Sequence, residues 1–141
     1  MSALLAAVFA SFRSRAALQL EQGVSKWNEW RKENPGLIPE LARAVLPKYL
    51  THVDLSGADL TKVSFEPGPE LELSRRGPDL SEANLSHAYL CDAHLPYAKL
   101  CGADLSKANL SHANLSGADL RNANNVNSAT FEGSIISIGP D

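Results

Sequence analysis

Ala103-Asp104-Leu105-Ser106-Lys107-Ala108-Asn109-Leu110-Ser111-His112-Ala113-Asn114-Leu115-Ser116-Gly117 is one five-residue unit written three times: alanine, an acid or its amide, leucine, serine and a variable residue. The register holds outward from this stretch. Leucine stands at 80, 85, 90, 95, 100, 105, 110, 115 and 120, and alanine at 83, 88, 93, 98, 103, 108, 113, 118 and 123. With leucine at roughly a tenth of positions in ordinary proteins, nine in one register do not arise by accident.

A period of five fits neither standard element. On a helix, five residues turn about 140° past a full circle, so the leucines would scatter round the axis. On a strand, side chains alternate, so successive leucines would point to opposite faces. The unit works as a short extended piece followed by a bend. Ala and Leu, two apart, then point the same way, and the bend resets the phase. Leu80, Leu85, Leu90, Leu95, Leu100, Leu105, Leu110, Leu115 and Leu120 form the core ladder, with small alanines in the second inward slot so that a narrow interior fills without strain.

These units resemble the pentapeptide-repeat family over Val53 to Phe65 and Pro78 to about Ile138. The resemblance implies a mainly β fold, a right-handed quadrilateral β-helix with one repeat per side and about twenty residues per coil. A hexapeptide solenoid, with its period of six, does not fit. Counting sides gives about four coils, a rod of ~19 Å at the strand spacing. Near Asn124-Asn125 an extra residue shifts the inward series to Val126, Phe131 and Ile136. The expected organisation is a helical cap over 1–50, a solenoid over 51–138 with a loop insertion at 66–77, and a tail over 139–141.

Helical spacing marks the N-terminal part: Leu4, Leu5, Val8, Phe9 and Phe12, then Leu20, Val24, Trp27 and Trp30, predict a helix over 2–33 that Asn34-Pro35-Gly36 stops. A second helix is predicted from Pro39 to Val45. Gly23, Trp27-Asn28, Trp30-Arg31 and Asn34-Pro35 resemble a helical lead-in that often precedes such repeats, with about fifteen extra residues before the first unit. Trp27 and Trp30 are expected to cover the first coil, with an aromatic docking site as the other reading. The insertion carries two prolines, two glycines, Glu70, Glu72, Arg75 and Arg76, and reads as a surface excursion or a contact loop. At the other end Ile135, Ile136 and Ile138 follow with no helical pattern to cover them, so an apolar edge invites a second copy and a homodimer through the C-terminal coil.

Nothing in the repeat reads as catalytic machinery. Asp92 and His112, twenty apart, lie one rung apart and lack a third orienting group in a pocket. Cys91 and Cys101 are ten apart, on opposite sides of a coil, and share neither a disulfide nor a metal. His52, His87, His94 and His112 show no ligand spacing. No enzyme activity, cofactor or metal is expected.

Residues 1–52 carry 7 basic against 4 acidic residues, and residues 53–141 carry 6 against 12. The acidic solenoid argues against direct nucleic-acid binding, which needs a basic stripe. The expected function is a non-enzymatic protein–protein interaction or scaffolding module in the cytoplasm. Candidate contacts are Trp27, Trp30, Glu70, Glu72, Arg75, Arg76, Asp104, Asp119, Ile136 and Ile138. The resemblance implies an alternative, a DNA-imitating modulator of gyrase. Two solenoids at −6 each would set −12 against ~22 phosphates over ~38 Å of duplex, a thin imitation. A third reading uses Arg13, Arg15 and the apolar residues of 2–20 for membrane association or organelle targeting; a helix that packs on protein is favoured over it.

Overall fold

A computed structural model describes residues 15–66 and 77–137 of the chain. Two helices come first, α1 (Arg15–Leu20) and α2 (Val24–Glu33). The single helix expected over 2–33 is therefore corrected within the described residues, and its first part, residues 2–14, lies outside them. Gly23 breaks it: at φ 103°, ψ 160° it takes a conformation that costs glycine little and other residues much. After α2, the N–H of Asn34 bonds the carbonyls of Trp30 and Arg31, and Pro35 follows.

The helix expected from Pro39 to Val45 does not form. Glu40 bridges Asp59, and β1 (Val45–Leu46) runs parallel to β2 (Ser64–Phe65). Leu41 and Leu46 stand five apart and are as buried as the leucines downstream. An isolated helix of seven residues is too short to sustain itself, whereas a coil side buries both leucines. Stacking begins inside the segment expected to be a helical cap.

The bridges fall into four parallel columns. One runs Glu40, Asp59, Tyr89, Asn109, Thr130; another Tyr49, Asp79, Lys99, Asp119; a third Asp54, Asn84, Asp104, Asn124. The fourth runs from Val45 and Ser64 through His94, whose N–H donates to Val63 O, to Asn114 and Ile135. Partners stand twenty apart in the upper rod (Asp79 and Lys99), thirty where the insertion intervenes (Asp59 and Tyr89), and twenty-one after Asn125 (Asn109 and Thr130). Asn125 supplies that extra residue in the left-handed region, φ 58°, at the start of a short 3-10 turn, Val126–Ser128.

One bonding rule joins successive coils. The leucine N–H donates to the residue before the leucine above, and that residue's N–H donates back to the alanine carbonyl below. Leu85 N–H meets Asp104 O at 2.9 Å, and Asp104 N–H meets Ala83 O at 2.9 Å. The described leucine and alanine slots from Leu41 to Leu115 form one continuous core, buried except at Ala44 and Phe65, which are half-buried.

Each corner is a tight turn. Ala108 N–H bonds Leu105 O at 3.0 Å, and Lys107 between them sits at φ 54°. An i to i+3 bond around a left-handed third residue fits a type II turn. The variable residue of the repeat takes this position throughout: His52, Lys62, Glu82, His87, Asp92, Tyr97, His112 and Asn122 lie at φ 55–60°. A non-glycine residue costs about 1–2 kcal/mol there.

Candidate interaction surfaces

The acid or amide of each repeat has a local task that its surface position conceals. Asp104 Oδ1 accepts from Ser106 N–H at 3.0 Å and from Ser106 Oγ at 2.5 Å. Asn84, Asn109 and Asn114 do the same with Ser86, Ser111 and Ser116. This is an Asx turn, which holds the backbone entering each corner. Sequence reasoning placed these groups outward but missed that they are committed to their own repeat. The sign was present in the fixed spacing of two between acid and serine.

Asp104 and Asp119, both candidate contacts, are engaged in this way. The bonds from the Ser106 hydroxyl and N–H, with the Asn125 amide, hold the Asp104 carboxyl below its ordinary range. Arg121 clamps Asp119 through Nε at 2.9 Å, Nη2 at 2.6 Å and its own N–H, driving that carboxyl far below normal and raising the guanidinium in turn. Partial burial works to raise Asp79, but bonds from Ser81 and the ammonium of Lys99, 3.6 Å away, outweigh it and leave the carboxyl lowered. Cys101 sits beside Asp119; burial first, then that carboxylate, push its thiol up, away from the reactive thiolate. Cys91 and Cys101 are both free thiols.

Trp27 is wholly buried, so it offers no docking surface; Trp30 is half-buried against the core, its ring centroid 5.2 Å from that of Trp27. The α2 helix does more than cover the coil. Trp27 Nε1 donates to Asp54 O at 2.7 Å, Asn28 Oδ1 accepts from Asp54 N–H at 2.9 Å, and Arg31 Nη2 donates to Ser56 O at 2.8 Å. These are the bonds that a leucine N–H, an alanine carbonyl and a corner N–H of a coil below would have made. Asn28 Nδ2 adds a bond to His52 O, and Arg31 Nη1 ties back to Leu37 O. Arg31 Nε, 3.9 Å from Asp54 Oδ2, is buried with no hydrogen-bond partner among the described residues. Three side chains on one helix face thus replace one rung of backbone.

At the far end the pattern loosens. Ala118, Leu120, Ala123, Val126, Ala129 and Phe131 pack on the core but stay partly exposed, and Ile135 and Ile136 are 58% and 49% exposed. Among the described residues the N–H groups of Leu120, Phe131 and Gly133 and the carbonyls of Ala118, Ala123 and Ala129 meet no partner. Glu70, Glu72, Arg75, Arg76 and Ile138 lie outside the described residues. No described helix is long and apolar enough to cross a membrane, and no described group of His, Cys, Asp and Glu could hold a metal ion.

The family model for pentapeptide repeats matches in eight copies within residues 76–106, 83–122 and 102–137. No protein of curated function matches. Among solved structures the chain is similar to HetL, a pentapeptide repeat protein involved in heterocyst differentiation regulation in the cyanobacterium Nostoc sp., at 31% identity, 68% of this chain, 44% of that one and TM-score 0.41. It is similar to a pentapeptide repeat protein of the Arabidopsis thaliana thylakoid lumen at 24% identity, 68% and 57% coverage and TM-score 0.28. A third, from the cyanobacterium Cyanothece, stands at 28% identity, 63% and 60% coverage and TM-score 0.20. The chain spans less than two thirds of the length of each of these proteins. The matched repeats are laid out here as the stacked, parallel-bridged coils of a β-helix.

Proposed function

We propose that this chain, which belongs to the pentapeptide-repeat family, works as a non-enzymatic interaction or scaffolding module: a rod of about four coils that presents rigid sides to other proteins. The observation that carries the reading is the occupation of the polar side chains. The acid or amide of each well-formed repeat is bound to its own serine, threonine or arginine, so chemistry at these columns would have to break the corner that positions them. A flat wall of fixed groups suits recognition. Isothermal titration against partners captured on the intact chain tests it; a turnover that depends on Asp104 or Asp119 in place of binding would overturn it.

The contact surface we favour is the C-terminal coil, and the first partner a second copy. Its half-exposed Leu120, Val126 and Phe131, with Ile135 and Ile136, form an apolar face rimmed by backbone groups that meet no partner among the described residues. Two such faces meeting about a two-fold axis close a homodimer. Light scattering reads this directly: the mass should rise from one chain to two with concentration, and a mass fixed at one chain removes the homodimer.

The gyrase-modulating alternative gains nothing from the charge arrangement, because Asp79 and Asp119 are each paired with a cation on the same wall. A supercoiling assay with gyrase at micromolar protein should show no effect.

A further inference from the structure

We propose a lateral contact, independent of the end pairing above: two copies stand side by side, the same end up, and meet along the side that carries the Glu40, Asp59, Tyr89 and Asn109 column. Three residues after each column position the chain turns a corner, at Arg43, Lys62, Asp92 and His112, all in the left-handed region. These corners stack as the column does, the N–H of Arg43 donating to Thr61 O and that of Lys62 to Cys91 O. Column and corner therefore flank the midline of one flat side. A two-fold axis along that midline, parallel to the rod, sets each column residue opposite the corner residue of the same rung on the other copy. Glu40 then meets Arg43 and Asp59 meets Lys62, and the symmetry doubles both into four ion pairs. On the next rung the hydroxyl of Tyr89, 53% exposed, meets the Asp92 carboxylate. Above it Asn109, its Oδ1 already taken by Ser111, meets His112.

Two observations single out this side. Its charges are uncommitted: among the described residues Glu40, Arg43, Asp59 and Lys62 form no ion pair, whereas Asp79 has Lys99, Asp119 has Arg121, Asp54 has Arg31 and Glu82 has His52. The same operation also fails on the other sides. On one it would set Asp79 against Glu82, like charges on a single rung. On the next, Ser64, His94 and Asn114 carry no carboxylate. Along the Asp54 column only Asp104 would find a cation, Lys107, and it is already bound by Ser106 and Asn125. Charge matching of this kind selects partner and register more than it adds affinity. Four intervals of about 4.8 Å make the side ~20 Å tall, so each copy buries well below the ~800 Å² of a stable complex, and the contact is weak and salt-sensitive. Glu132, exposed near the midline of the top rung, would meet its own copy and opposes the contact.

The test uses the full chain carrying Ile136→Lys, which removes the end pairing; a parent chain of the same mass as this variant would sink the end pairing alone. Sedimentation equilibrium should show the mass rising toward two chains with concentration at about 50 mM salt, and association at least ten-fold weaker at about 500 mM. Asp59→Lys and Lys62→Asp should each weaken it at least ten-fold. Mixed one to one, these two variants again oppose cations with carboxylates, so association should return to parental strength or above, and Glu132→Gln should tighten it. Should Asp59→Lys, which also gives up the bond from Thr61 N–H, alter the circular dichroism, Glu40→Arg with Arg43→Glu repeats the design on exposed residues. Cys91 stands between column and corner, near the midline, and Cys101 on another side, so a short bis-maleimide should trap the dimer in Cys101→Ser and not in Cys91→Ser. A mass fixed at one chain, a mixture no stronger than its components, or trapping through Cys101 overturns the proposal.

Discussion

Leu100→Ala removes three carbons from the middle of the stack. Leu100 is wholly buried, with Leu80 on the coil below and Leu120 on the coil above. Losing that apolar surface alone costs about 2.4 kcal/mol at ~0.8 kcal/mol per methylene. The cavity adds to this, because the walls cannot fall in: Leu80 N–H is held to Lys99 O at 2.9 Å and Leu100 N–H to Asp119 O at 2.8 Å. A site that collapses poorly lies in the upper part of the usual range, so we expect about 4 kcal/mol. Leu120, on the same side but on the open coil, is only half-buried, and Leu120→Ala should cost about half as much. Urea unfolding followed by far-ultraviolet circular dichroism measures both. If Leu120→Ala proves as damaging as Leu100→Ala, the inward ladder is wrongly assigned or the end coil is covered.

Lys107→Gly relieves a left-handed corner worth about 1–2 kcal/mol and gives back about 0.5–1 kcal/mol in chain entropy, so the midpoint in urea should rise slightly. Trp27→Phe keeps the buried ring but leaves Asp54 O without its donor and should cost about 1–3 kcal/mol by the same measurement. Ser106→Ala should cost about 0.5–1.5 kcal/mol through the lost bond to Asp104, despite its outward position. Asp79, Asp104 and Asp119 all have carboxyls lower in the folded state than in the unfolded chain. Their stabilisation is therefore complete above the unfolded carboxylate range near 3.9 and is lost as pH falls through the folded values. An acid titration should show stability declining below about pH 4, and Asp119→Asn should flatten that decline.

The leucine and alanine register was legible because burial dictates it: an inward slot admits little else, so Leu80 to Leu120 repeat without a fault. The first coil was less so. Its leucines at 41, 46 and 50 break the spacing of five once, and Lys48 stands where alanine is usual. The spacing of Leu41 and Leu46 was the available signal. Helical periodicity showed that α2 existed, but no periodicity reports that Trp27, Asn28 and Arg31 complete a backbone edge, since that depends on where the helix lies. The serines and acids are legible only as a pattern, because their bonds are local and leave no apolar trace. The insertion at 66–77 gives only its endpoints, Glu66 and Gly77, to the described structure.

Those endpoints have a practical use. Asp59 still meets Tyr89, and Tyr49 still meets Asp79, although ten additional residues separate them. The coils therefore stay in register across ten extra residues at this corner, which makes it the position to try for grafting an epitope or a sensor peptide. The condition is the landing site. A Cβ at Gly77 would lie 2.1 Å from Pro96 O, so any graft must hand the chain back through that glycine.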